Sequence, residues 1–111
     1  MGSPNDIVLN QLYLVNGLIK RLIENQGIKI ELDPSQKPEL SFDSKSKIAS
    51  MLKVQERLQN RLPKQQQRQS IDKNLELLVG NFYFYDKQYG KAINFYEKSL
   101  KSNPQIGRAH V

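Results

Sequence analysis

The sequence predicts a mainly all-α fold, a helical bundle ending in a helix-turn-helix, with a small β-hairpin or an irregular loop inserted over 28–42. Three observations predict it. Apolar residues recur at three- and four-residue spacings through most of 5–26, 44–62 and 73–101, the period of a helix with one buried face. Gly27, Pro34, Pro38 and Pro63 fall between those stretches, where a helix has to stop or bend. Only one short run, Ile28-Lys29-Ile30-Glu31-Leu32, alternates with the period of a strand.

In the first helix Val8, Leu12, Val15, Ile19 and Leu22 form the apolar stripe, and Ile7, Leu14, Leu18 and Ile23 widen it. Asn5 or Asp6 is placed to cap its start and Gly27 to end it. Met1–Pro4 reads as an initiator followed by a cloning remnant and is set aside from the fold. Asn10, Gln11, Asn16, Lys20 and Arg21 interrupt the apolar run, so it packs against other helices rather than spanning a membrane. Gly17 in mid-helix lowers helix propensity by up to about 1 kcal/mol.

Over 28–42 the alternating run pairs with Leu40-Ser41-Phe42 across a proline-containing turn, or forms an irregular loop pinned by the same apolar residues. A hairpin alone is marginal in water, so Ile28, Ile30, Leu40 and Phe42 must pack on a helix. Ser44 or Ser46 then caps a helix running to about Leu62, buried through Ile48, Met51 or Leu52, Gln55, Leu58 and Leu62. Pro63 breaks or kinks it. The polar run 64–70 continues as a solvated helix, or serves as a linker, with Pro63 in its first turn.

Two short amphipathic helices follow. Leu75, Leu78, Val79, Phe82 and Tyr83 share a face of the first; Ala92, Ile93, Tyr96, Ser99 and Leu100 share a face of the second. Lys87-Gln88-Tyr89-Gly90 interrupts them, with Gly90 best suited to the tight turn. Asn103-Pro104 ends the second helix. Gly80 and Ala92 let the two helices approach closely, and Tyr83, Tyr89 and Tyr96 fill the space around the crossing. This arrangement resembles the tetratricopeptide repeat, whose pattern is W-x2-L-G-x2-Y, A-x3-F and P over about 34 residues. Val79-Gly80-x2-Tyr83, Ala92-x3-Tyr96 and Pro104 match in type and spacing, while Glu76 and Ser99 depart from it. The resemblance divides the chain into an N-terminal helical region, 5–69, and a repeat-like hairpin with the start of a further repeat, 70–111. Together they make one compact domain, or a fragment of a longer protein.

The resemblance implies a non-catalytic protein–protein interaction or scaffold function, with a groove lined by Asn74, Leu77, Asn81, Phe84 and Tyr85. Asn81 matches the asparagine that helps hold a ligand's terminal carboxylate in peptide-binding members. Leu77 stands where those members carry a basic residue, so Leu77, Phe84 and Tyr85 make an apolar, aromatic surface suited to burying another helix. One repeat cannot bury both its faces, so the chain's own helices, a second copy in a homodimer or further repeats must cover it.

Composition narrows the alternatives. A chain of 111 residues with 38% hydrophobic and 25% charged residues suits one folded helical domain with a modest core. With no cysteine there is neither a disulfide scaffold nor a thiolate metal site, and no signal peptide is visible; both favour a reducing, cytoplasmic setting. The single histidine, His110, gives no catalytic triad and no multi-histidine metal site, and no glycine-rich phosphate loop occurs. Glu31, Asp33, Glu39 and Asp43 read as an exposed charged loop. No enzyme activity, cofactor or metal is therefore expected. The net charge of +6 concentrates over 45–73, where Arg57, Arg61, Lys64 and Arg68 share one helical face if Pro63 leaves the axis straight. That patch supports an alternative, a basic helical module binding RNA or DNA, although no aromatic residue accompanies it for base stacking.

Overall fold

A computed structural model describes residues 3–101; Asn103, Pro104, the 107–111 segment with His110, and Met1-Gly2 lie outside the described residues. The order is α1 (Pro4–Glu24), α2 (Phe42–Asn60), the single-turn α3 (Lys64–Gln67), α4 (Lys73–Tyr85) and α5 (Tyr89–Lys101), with no strand among the described residues. The fold is all-α.

Helix α1 begins earlier than Asn5 or Asp6 would allow. Ser3 is the N-cap: its hydroxyl accepts from the Asp6 amide while the Asp6 carboxylate accepts from the Ser3 amide, a reciprocal capping box with Pro4 just behind it. Ser3 and Pro4, set aside with Met1-Gly2 as a remnant, thus start the helix. At the other end Gly27 takes a φ of 82°, in the region glycine reaches without a steric penalty. Leu12, Ile19 and Ile23 are fully buried, whereas Ile7, Leu14 and Leu18 face out.

The expected hairpin over 28–42 does not form. Ile28 is buried and Leu40 packs against the core, but Ile30 and Phe42 are exposed, and 28–41 runs as an irregular strap. Its carbonyls have another destination: those of Lys29 and Ile30 accept from the side chain of Asn81 instead of from a second strand. Phe42 already belongs to α2, which Ser41 caps by accepting from the Ser44 amide, so the helix starts ahead of Ser44 and Ser46.

Helices α1 and α2 pack side by side in opposite directions, with Gln26 bonded to Ser44 at one end and Leu12 clustered with Leu58 and Leu62 at the other. Leu52, not Met51, takes the buried position, beside Ile48, Gln55 and Leu58. Gln55 is satisfied in the interior: its amide donates to Asn16 Oδ1 at 2.9 Å, and Asn16 donates on to the Ser70 carbonyl at 3.1 Å.

No continuous helix crosses Pro63. Helix α2 stops at Asn60 and Pro63, with ψ 147°, serves as the extended N-cap of α3. Glutamine side chains hold the resulting turn: Gln67 donates to the Leu62 carbonyl and Gln59 to the Gln67 carbonyl. The run expected as a solvated helix or linker is a locked corner.

Helices α4 and α5 form the hairpin. Asp72 caps α4 by accepting from the Asn74 amide. The left-handed residue of the turn is Lys87, at φ 64°, while Gly90 lies in the first turn of α5; the tight conformation assigned to Gly90 belongs to Lys87. Leu75, Leu78, Val79, Phe82, Tyr83 and Ala92 are buried between the pair and the rest of the core, but Ile93 and Leu100 stay exposed. At Gly80 the Tyr96 ring of α5 lies directly against the α4 backbone: a Cβ there would lie 2.5 Å from Cε1 of Tyr96. One core, drawing Ile19 and Ile23 from α1, Ile48 and Leu52 from α2 and the inner face of α4, joins the two halves of the chain.

Gly17 and Gly80, both in helix interiors, respond oppositely to the same substitution. Gly17 has nothing within 4 Å of a would-be Cβ, so Gly17→Ala should stabilise the fold by up to about 1 kcal/mol through helix propensity. Gly80→Ala gains the same term but drives a methyl into the Tyr96 ring, and should destabilise by about 1–2 kcal/mol. Urea unfolding of the two variants checks the opposite signs.

Candidate interaction site

Helix α4 carries different chemistry on its two sides. Asn74, Leu77, Asn81, Phe84 and Tyr85 lie on the side away from Val79 and Tyr83, as their spacing implies. Asn74 is exposed, Leu77, Phe84 and Tyr85 are half-buried, and Asn81 is buried. What covers Asn81 is the strap.

Asn81 uses both ends of its amide. Its Nδ2 donates to the carbonyls of Lys29 at 2.7 Å and Ile30 at 2.8 Å, and its Oδ1 accepts from the Tyr96 hydroxyl at 2.6 Å. Tyr96 therefore orients the amide so that its NH2 faces the strap. One turn on, the Tyr85 hydroxyl donates to the Asp33 carbonyl and accepts from the Asp33 amide, at 2.9 and 3.0 Å. Asp33 closes the strap's bend by accepting from the Ser35 hydroxyl and amide, bonds that hold its carboxyl below the usual carboxylate range. The bonds to Lys29, Ile30 and Asp33 address main-chain groups of a strap that bends at 30–31 and turns at 33–36, and the Tyr85 hydroxyl also lies 3.4 Å from Gln36 Oε1. Phe84 packs edge-on against Tyr85 and against the exposed Tyr89.

The expected basic face is divided. Because α2 ends at Asn60 and the chain turns at Pro63, Arg57 and Arg61 part company with Lys64 and Arg68. Lys64 and Arg68 instead line a groove of about 640 Å3 between α2 and α5, together with Lys53, Lys91, Lys98 and Lys101. Arg57 and Arg61 do not line it. Leu52, Ile71, Leu75 and Val79 form its floor. Tyr83 and Phe95 stack there at 5.6 Å, with the Lys91 ammonium 5.4 Å from the Tyr83 ring centre and that of Lys98 4.5 Å from that of Phe95. Sequence reasoning missed this groove, yet a signal exists: Lys91, Phe95, Lys98 and Lys101 recur at helical spacing along α5.

Among the described residues no group of three His, Cys, Asp or Glu side chains could hold a metal ion. No described helix is long and apolar enough to cross a membrane. No protein-family model, curated protein or solved structure matches the chain.

Two outcomes follow from the strap contacts and the buried phenols. Tyr85→Phe removes both bonds to Asp33, so exchange of the Asp33 amide should quicken at least about tenfold while stability falls by only about 1 kcal/mol; hydrogen exchange read residue by residue checks this. Burial, reinforced by Asp86, pushes the Tyr83 phenol above its ordinary value of 10.0, and burial with Tyr85 nearby does the same for Tyr96. A folded-state pKa above the unfolded one means the folded chain favours the neutral phenol. That stabilisation is whole below 10.0 and is lost as pH rises through the folded values. Denaturant unfolding across alkaline pH should show stability falling above about pH 10, with a smaller fall in Tyr83→Phe.

Proposed function

We propose that the chain is a non-catalytic protein-interaction module, a tetratricopeptide-like helical hairpin whose α4 face takes the main chain of a peptide segment. One observation carries the proposal: Asn81 and Tyr85 hold the main chain of Lys29, Ile30 and Asp33, from a strap some 50 residues away in sequence. A surface that binds these backbone groups suits a segment presenting two successive carbonyls followed by a turn. The strap is then the ligand held in cis, and a partner segment exchanges with it. Asn81 serves this purpose through main-chain carbonyls, in place of a terminal carboxylate clamp, because no basic residue stands at Leu77. The same surface could also take the strap of a second copy, giving a homodimer by exchange.

The test is an NMR titration with a synthetic peptide of residues 27–37. A strap tethered close by competes at millimolar effective concentration, so a free peptide should shift the Asn81 side-chain amide and the Tyr85 ring resonances only in that range. In Asn81→Ala the Tyr85 ring shift should be lost, and in the unsubstituted chain added salt should leave both shifts nearly unchanged, unlike nucleic-acid binding. No shift at either residue up to several millimolar, or an equal Tyr85 shift in Asn81→Ala, would refute the proposal.

A further inference from the structure

The side of α4 opposite Asn81 and Tyr85 faces the groove between α2 and α5, and nothing described above accounts for it. Its rim is strongly positive. Lys53, Lys64, Arg68, Lys91, Lys98 and Lys101 line it with Glu56 and the buried Glu76, and Glu97 stands beside Lys91, Lys98 and Lys101 at one end. Like charges gathered from α2, the 64–68 turn and α5 repel one another, and an anionic occupant relieves that repulsion.

The floor decides which anion. Leu52, Ile71, Leu75 and Val79 close it from below but belong to the core. Its accessible apolar surface is therefore modest and comes chiefly from Ala49, Phe95 and the lysine stems, with no hydrogen bonds to offer. The amides beside them are already engaged: Gln55 with Asn16, Gln59 with the Gln67 carbonyl, Gln67 with the Leu62 carbonyl. The aromatic rings are engaged too, since Tyr83 and Phe95 stack on each other with lysine ammoniums over them. A nucleic acid would satisfy the rim but find no free ring face on which to stack a base. An occupant matching both parts needs carboxylates spaced along its edges and apolar side chains between them.

We propose that this groove is a second docking surface, and that its occupant is an acidic segment of a partner protein carrying apolar side chains between its carboxylates. Each exposed lysine–carboxylate pair contributes little alone, so the cations of the rim acting together attract the partner and set its register, and its apolar side chains add contact with Phe95, Ala49 and the lysine stems. A second copy of this chain is disfavoured as the occupant, because two chains of net charge +6 repel. The groove lies across α4 from the strap, so the proposal stands or falls independently of the backbone-binding one.

Fluorescence anisotropy on the full chain tests it. The probe is a labelled peptide of about 16 residues with Glu and Leu at helical spacing; the comparison peptide has Gln for every Glu. The Glu/Leu peptide should bind, and the Gln/Leu peptide at least about tenfold more weakly. Lys53→Glu with Arg68→Glu, and separately Lys91→Glu, should each weaken the Glu/Leu peptide at least about tenfold. Arg57→Glu with Arg61→Glu, outside the groove, should change it less than about twofold, with helical circular dichroism retained in all three. Oligothymidylate should not displace the peptide. Equal binding of the two peptides, equal losses inside and outside the groove, displacement by oligothymidylate, or no peptide binding at all would each overturn the proposal. Concentration-dependent self-association abolished by Lys91→Glu would also overturn it, by assigning the groove to a second copy.

Discussion

The contact between Gly80 and the Tyr96 ring governs most of what α4 does. Any side chain at position 80 would meet that ring, so the absence of one lets α5 settle against α4 at this level. The ring's seat there puts its hydroxyl 2.6 Å from Asn81 Oδ1. With that oxygen committed, the amide nitrogen can point only at the strap, where it meets two carbonyls. A packing constraint between two helices thereby becomes a hydrogen-bonding specification on the outer surface. A wider crossing would release the Tyr96 hydroxyl, and Asn81 would lose the partner that orients it.

Polar side chains do similar work on the other side of the molecule. Gln55 and Asn16 pass a buried hydrogen bond from α2 through α1 to the Ser70 carbonyl, just ahead of α4. Such a relay is costly to break, since an unsatisfied buried amide loses about 1–3 kcal/mol. It fixes where the chain enters α4, and Lys45 paired with Asp86 at 3.2 Å ties the start of α2 to the turn that leaves α4. That ion pair is partly solvated and contributes at most about 1 kcal/mol; its geometric role outweighs its energy. The core supplies the cohesion, while these polar links set the position of α4 between the strap and the groove.

The helices were legible because a buried face repeats every three or four residues whatever it packs against. Leu12, Ile19, Ile48, Leu58, Leu75 and Val79 all lie in the interior as their spacing implies. Exposure was less legible: Leu14, Ile93 and Leu100 obey the same periodicity yet face out, since period alone does not say how wide a stripe the neighbours will cover. The strap misled for a physical reason. Ile28-Lys29-Ile30 alternates as a strand does, but the group that satisfies its carbonyls is a side chain beyond residue 80, and no local pattern reports a partner so distant. The turn misled for the opposite reason. A glycine at 90 is the safer choice for a positive φ, yet Lys87 takes it because the bonds from the Lys87 and Gln88 amides to α4 fix the bend earlier. The groove could not be seen in any one segment, because its cations come from α2, the Pro63 corner and α5, and only the fold assembles them.

The strap's own energetics separate its anchor from its exchangeable part. Ile28 is wholly buried in the main core, and removing a side chain of that size from the interior costs several kcal/mol, about 2–5 for an isoleucine truncated to alanine. The backbone bonds at Lys29, Ile30 and Asp33 are different: the strap residues themselves are exposed although Asn81 beneath them is buried, opening would hydrate both sides, and each bond contributes on net about 0.5–1.5 kcal/mol. Opening of 29–33 is therefore a local event that leaves Ile28 seated and the helices packed. A competing segment has to recover only the bonds at Asn81 and Tyr85, not the burial of Ile28. Under the proposed function the strap is a tenant weak enough to leave and tethered closely enough to return, the condition for reversible exchange with a partner.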